Sequence, residues 1–463
     1  MTNTERRAGM ALAGIYFLRM LGLFIVLPVF SLQAQALSGA TPQLVGLALG
    51  AYGLTQAVFQ IPFGMLSDRL GRRPVIVVGL AIFAAGSVLA ALSHGIYGVL
   101  CGRVLQGTGA IAATVMALAA DLTREEQRTK VMALIGISIG AAFIAAFIVG
   151  PVVNQWEGLK GLFFLAALLS VLALALLRWG VPSGGEAHFH RECQSELSQI
   201  PALLKDRQLL RLNAGILLLH ALLTATFIAV PLYLRDRIGL ASGQHWQIYL
   251  PVFLSSVFLM WPFILLAGRA GRLKLAFVVA LALLGCSELG MYAGCSGWLA
   301  FALLLVGFFT AFNFLEASLP ALISRVAPVD RKGTALGIFS AWQFVGAFLG
   351  GALGGWCHAH WGLGSVFLLC TVLVSIWLAL AITMTTPRYV RNHMIRIGPL
   401  NEGEADELRA RLSALPGVAE VVVIVSEGVA YLKLDPETAD LETLTQFGRS
   451  TPISAAEAAT KGR

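Results

Sequence analysis

Charge is what this chain has least of. Asp, Glu, Lys and Arg make up 13% of its 463 residues, against 57% hydrophobic ones, and the mean hydropathy is +0.78. A soluble core cannot bury that much apolar surface, so the bilayer is the expected solvent. Cysteine is scarce too. Residues Cys101, Cys193, Cys286, Cys295, Cys357 and Cys370 are scattered without metal-ligand spacing and read as buried thiols. The chain has no Walker loop, nucleophile elbow or metal-binding cluster, so neither an enzyme nor a bound cofactor or metal is expected. The net charge of +8 is not interleaved with aromatics, which argues against nucleic acid as a partner.

What is present is a series of uncharged runs, each long enough for a helix to cross a hydrocarbon core of ~30 Å. They predict twelve spans, at 9–31, 44–66, 74–93, 97–119, 131–154, 160–180, 208–234, 246–268, 273–293, 298–324, 333–357 and 363–385. Helices are expected because lipid leaves open backbone groups unsatisfied and because the short alternating strands of a barrel are missing. The first span carries Arg19 and is too long for a cleaved signal peptide. Lys and Arg crowd the connections on one side, and only Lys160, Arg235 and Arg237 fall on the other. This predicts cytoplasmic termini, with membrane lipid as the surrounding partner.

The longest polar connection, 181–207, divides the spans into bundles at 1–180 and 208–386. The two bundles echo each other weakly: QRTKVMALIGISIG after span four resembles DRKGTALGIFSAWQ after span ten. Beyond a linker at 387–393 the composition becomes that of a soluble domain, 394–449. Strands are expected at 394–397, 419–425 and 429–434, helices at 404–415 and 439–447, and a disordered tail at 450–463.

The densest charge lies in GMLSDRLGRRPVI, residues 64–76, between spans two and three. Its Gly64, Asp68, Arg69, Gly71, Arg72 and Arg73 resemble the loop 2–3 signature of the major facilitator superfamily. GRVLQGTGA in span four, through Arg103, Gln106, Gly107 and Gly109, resembles a second signature. LGLFIVLPVF, residues 21–30, is similar to a first-span motif of the twelve-span drug/proton antiporters. In span five Gly140, Gly150 and Pro151 follow the antiporter pattern, with Asn154 in place of a small residue, and GRAGRLK in the second half has no Asp. The resemblance implies an all-α polytopic fold of two six-helix halves, followed by a small α+β domain of ferredoxin-like type. It also implies that spans one, four, seven and ten line a central cavity.

Charge arithmetic adds roles. Arg72 can reach Asp121 at the end of span four. Asp68, Arg72 and Asp121 would then latch the halves where span eleven begins, with Gly64 and Gly71 allowing close approach and a tight turn. An ionisable group at membrane depth is a functional hypothesis. Arg19, Arg103, His220 and Glu316 are therefore proton-coupling candidates, Glu316 foremost and His220 second. Alternatively Glu316 pairs with Arg19, His220 is a packing residue, and Arg103 braces spans. Asn313 shares the Glu316 face, and Tyr52, Gln56 and Gln60 recur at i, i+4, i+8 as one polar stripe, so all four are substrate-cavity candidates. Gly136, Gly140 and Gly150 in span five, and Gly346, Gly350, Gly351, Gly354 and Gly355 in span eleven, are expected to let helices approach or bend.

These readings point to a proton-coupled secondary transporter that exports a small amphipathic or drug-like compound, with a regulatory C-terminal domain that senses a small solute or ion. The alternatives are a proton symporter that imports a small solute and a membrane-embedded sensor.

Overall fold

The computed structural model describes residues 1–182, 200–269, 272–295, 297–328, 331–384, 391–398, 400–425 and 428–434. Among them, eleven helices are long and apolar enough to cross a membrane, and one of these is two spans joined. The first half holds α1 (Asn3–Phe24), α2 (Phe30–Gln33), α3 (Pro42–Leu70), α4 (Arg72–Leu92), α5 (Ile96–Thr108), α6 (Ala112–Asp121) and α7 (Glu125–Trp179). After α8 (Ile200–Lys205) the second half holds α9 (Arg207–Asp236), α10 (Trp246–Leu259), α11 (Trp261–Ala267), α12 (Leu273–Ala293), α13 (Trp298–Val326), α14 (Lys332–Trp361) and α15 (Gly364–Ile382).

Several expected spans are not single helices, each for a local reason. The first stops at Phe24 and resumes as α2, because Pro28 lacks a donor and turns the chain. The fourth opens at residues 109–111, between α5 and α6. The eighth breaks at Met260, just before Pro262. Spans five and six, by contrast, run together as α7, which reverses at Gly158 (φ 61°, ψ −155°), a conformation that needs glycine. The reversal is visible against α1. Val131 lies beside Gly9 and Gly150 beside Ile25; then Ala166 returns to Gly22 and Leu176 to Gly14. Part of the expected central loop is helical, as α8, and residues 183–199 of that loop lie outside the described residues.

The two halves touch at the end where α1 stops and α3 begins. There α3 and α14 meet backbone to backbone, Gly46 against Gly351 and Gly355, Gly50 against Phe348, and Gly53 against Phe344. Only glycine admits such an approach. Beside this seam an aromatic cluster crosses between halves. Phe147 of α7 stands 4.8 Å from Phe227, 5.2 Å from Tyr249 and 4.6 Å from Phe253, and Phe253 stands 4.4 Å from Phe309. All five rings are buried. At the other end, a Cβ built on Gly64, Gly136 or Gly140 meets nothing within 4 Å. The close approach expected of these three glycines is therefore not made: the halves stand apart at the end that carries the 64–76 loop.

The C-terminal unit is α+β. Strands β1 (Arg391–Arg396), β2 (Val418–Ile424) and β3 (Val429–Leu434) form an antiparallel sheet of order β1-β3-β2, and α16 (Glu402–Ser413) packs on β2. Arg391 pairs with Leu434 and Ile424 with Val429, with a shift between Val418 and Glu420. Ile395, Leu412, Ala430 and Leu432 lie in its core. Asn401 and Glu404 cap α16 reciprocally. The first strand begins three residues before expectation and α16 two residues before. The expected helix 439–447 and the 450–463 tail lie outside the described residues.

Candidate functional site

The charged loop builds a compact network. Asp68 occupies the last turn of α3, and Gly71 (φ 93°) turns the chain so that Arg72 starts α4. Arg72 Nη1 donates to Asp68 Oδ1 and, at 2.7 Å, to Ser67 Oγ, while its Nε donates to Asp121 Oδ2 at 3.2 Å. Ser67 in turn donates to the Gly64 carbonyl at 2.6 Å. Arg73 donates to the Val181 carbonyl at 3.0 Å and to that of Pro182, tying the loop to the end of α7. Arg69 is exposed at the C-terminus of α3, where a cation suits the helix dipole. The predicted triad is thus assembled, wholly within the first half.

A second cluster lies at the core of that half. Arg19 is 4% exposed. Its Nη2 donates to Tyr52 Oη at 3.2 Å and to the Gly109 carbonyl at 3.4 Å, and its guanidinium lies 3.7 Å from the Phe83 ring centroid. The Gly109 carbonyl is available because the helix opens between α5 and α6, and the Ala112 carbonyl beyond the break accepts Tyr16 Oη at 2.7 Å. Tyr52 donates onward to Gln56 at 2.8 Å, and Gln56 to Gln60 at 3.2 Å, so the stripe read from the sequence is one relay of hydrogen bonds. Arg103 is also buried but serves differently. Its donors go to the Ala48 and Leu49 carbonyls of α3 (3.3 and 3.1 Å) and to Gln106 at 2.9 Å, whose amide holds Ser87 at 2.7 Å. It braces α5 on α3 and α4.

The second half brings His220, Glu316 and Gln343 together. His220 Nδ1 lies 3.8 Å from Glu316 Oε2, and the Gln343 amide stands 2.8 Å from His220 Nε2 and 3.4 Å from Glu316 Oε1. The Glu316 side chain is 36% exposed. Its partner is His220, and among the described residues Arg19 makes no ion pair with it. Asn313 turns away and donates to Ser256 Oγ on α10 at 3.0 Å. Glu288 of α12 is fully buried and accepts Thr226 Oγ1 at 2.7 Å.

Two features escaped sequence reasoning. Gln343 is uncharged and lies in the glycine-rich eleventh span. The aromatic cluster had a usable signal in the i, i+4 pairs Phe143/Phe147 and Tyr249/Phe253, but phenylalanine is equally common where helices face lipid.

A family model described as Major Facilitator Superfamily matches residues 12–315 and 255–394, and one described as YajR YAM domain matches 395–445. The chain is 45% identical to the inner membrane transport protein YajR of Escherichia coli, over 94% of this chain and 95% of that one. It is 24% identical to the multidrug resistance protein MdtH of Cronobacter sakazakii, over 73% of this chain and 83% of the relative. Among solved structures it resembles an inward-facing bacterial homolog of the human lysosomal transporter Spinster. The TM-score is 0.67 at 13% identity, covering 82% of this chain and 97% of that one, a likeness of fold alone.

Proposed function

The chain belongs to the major facilitator superfamily, and from that premise we propose that it is a proton-coupled secondary transporter exporting a small amphipathic compound by alternating access. Its membership and its likeness to YajR make it a multi-pass membrane transport protein. The coupling is the further step, and one observation carries it: a carboxylate and an imidazole, Glu316 and His220, lie 3.8 Å apart at membrane depth with the carboxylate partly open. Such a pair holds one proton in either of two places, as a charged pair or a neutral one, and Gln343 can hydrogen-bond both forms. Changing which end of the bundle is open changes the water around Glu316, and with it the cost of its charge. Likeness to a relative named for multidrug resistance supports export as the direction.

The Lys and Arg distribution supports a cytoplasmic 64–76 loop, so the described conformation faces the cytoplasm. In the opposite conformation Asp68 would turn from its own half toward the N-terminus of α14, where the helix dipole favours an anion. Asp68, Arg72 and Asp121 are then the latch, and the aromatic cluster is the gate at the far end. The C-terminal unit serves as a regulatory module that responds to a small solute or ion.

Proteoliposomes carrying a pH-sensitive dye test this reading. Substrate flux should move protons in wild type. In Glu316→Gln, exchange of substrate across the membrane should persist while the coupled proton signal disappears. Flux in wild type that ignores an imposed pH gradient would sink the proton coupling.

A further inference from the structure

Among the described residues, the first half contains a cation without a counter-ion. Arg19 is buried, yet its Nε and Nη1 have no hydrogen-bond partner, and both groups that Nη2 reaches, Tyr52 and the Gly109 carbonyl, are neutral. A guanidinium is charged at any physiological pH, and at membrane depth an unpaired charge is the costliest group a chain can hold. The acids of the bundle that could answer it are engaged elsewhere. Asp68 and Asp121 hold Arg72, and Glu316 stands with His220 and Gln343. The neighbouring hydrogen bonds run away from Arg19, since Tyr52 gives its proton to Gln56 and Gln56 gives its own to Gln60. Among the described residues, neither Nε nor Nη1 of Arg19 has an acceptor within hydrogen-bond distance.

The same side chain lines a narrow pocket, with Tyr16, Met20, Tyr52, Gln56 and Val115 among its walls. The walls are mostly apolar or aromatic, with the neutral polar groups of Tyr16, Tyr52 and Gln56, a lining that suits a charged headgroup flanked by an apolar body. A second buried cation of this half, Arg103, has its donors on the Ala48 and Leu49 carbonyls and on Gln106. One unmatched positive charge calls for a monoanion rather than a doubly charged phosphate.

We propose that Arg19 is the anion-binding point of the substrate cavity, and that the transported compound is an amphipathic organic monoanion whose carboxylate docks there. The carboxylate supplies acceptors to Nε and Nη1, and the apolar body lies along Met20 and Val115. This rests on the transporter reading above but not on its proton coupling.

The test uses the full-length protein in detergent and matched probes that differ only in charge: benzoate, phenylacetate and hexanoate against benzamide, phenylacetamide and hexanamide. Binding is read by thermal shift and by isothermal titration. The carboxylates should bind about ten- to a hundred-fold more tightly than their amides, the span expected for a charge-assisted hydrogen bond. Arg19→Gln should erase that difference, and Arg19→Lys should keep part of it. Equal binding of acid and amide to wild type overturns the proposal, and this comparison needs no variant to fold. It is also overturned if Arg19→Gln keeps the preference, or if chloride, sulfate or inorganic phosphate alone gives the carboxylate shift. Carboxylate-selective binding alongside flux that ignores the pH gradient defeats only the coupling. Proton-driven flux without carboxylate preference defeats only this inference.

Discussion

Arg72 stands between two carboxylates that each occupy the unfavourable end of a helix. Asp68 lies in the last turn of α3 and Asp121 is the last residue of α6, both where the helix dipole repels an anion. One guanidinium offsets both, so Arg72→Ala should cost about 3 kcal/mol, visible as a lowered Tm in detergent. Asp68→Asn relieves one of the two repulsions and should insert and fold normally while losing transport; near-normal flux would reduce the loop to a topology signal. Arg103 is the contrasting case. With its donors on two α3 carbonyls and Gln106, Arg103→Lys keeps the charge but loses the fork, and should destabilise by about 2 kcal/mol with unchanged proton-to-substrate stoichiometry. A changed stoichiometry would return Arg103 to the coupling machinery. The sequence identified both arginines as unusual, and their different duties depend on which backbone carbonyls lie within reach, which no local pattern encodes.

The seam between α3 and α14 brings the two halves together at one end of the bundle. A Cβ on Gly46 would meet the Gly351 carbonyl, so a side chain there is a wedge against the described conformation only, and overpacking of this kind costs about 1–3 kcal/mol. Gly46→Val should therefore shift the population toward the state open at the opposite end. Spin labels on Arg69→Cys and Arg269→Cys, in a background without native cysteines, should come closer together in that variant. An unchanged distance would show that the seam does not set the equilibrium. Each aromatic ring wetted when the gate opens costs about 1.5–3 kcal/mol, which favours an opening that exposes few rings at once. The glycine spacing of span eleven was legible as a packing face. Gly64, Gly136 and Gly140 looked equivalent to it, but they lie at the separated end, and sequence carries no mark of which conformation a glycine serves.

At the scale of the molecule, the scarcity of charge was enough to read two six-helix halves, and short runs rich in Val and Ile were enough to read the terminal strands. The breaks within spans were not readable, because the carbonyls of Gly109 and Ala112 at the opening of span four take hydrogen bonds from Arg19 and Tyr16, partners brought by another helix. The basic asymmetry predicts that protease added to intact spheroplasts leaves the C-terminal unit whole, while the same protease removes it in inside-out vesicles; cleavage in spheroplasts would reverse the orientation. Gly158 bears on how the protein is made. Spans five and six turn back through Gly158, so the polar connection passed across the bilayer between them, which carries Gln155, Glu157 and Lys160, is very short. Two arms joined so closely are expected to enter the lipid as a hairpin. A substitution at Gly158 is thus expected to act on biogenesis, lowering the yield of inserted protein, before it acts on any step of the transport cycle.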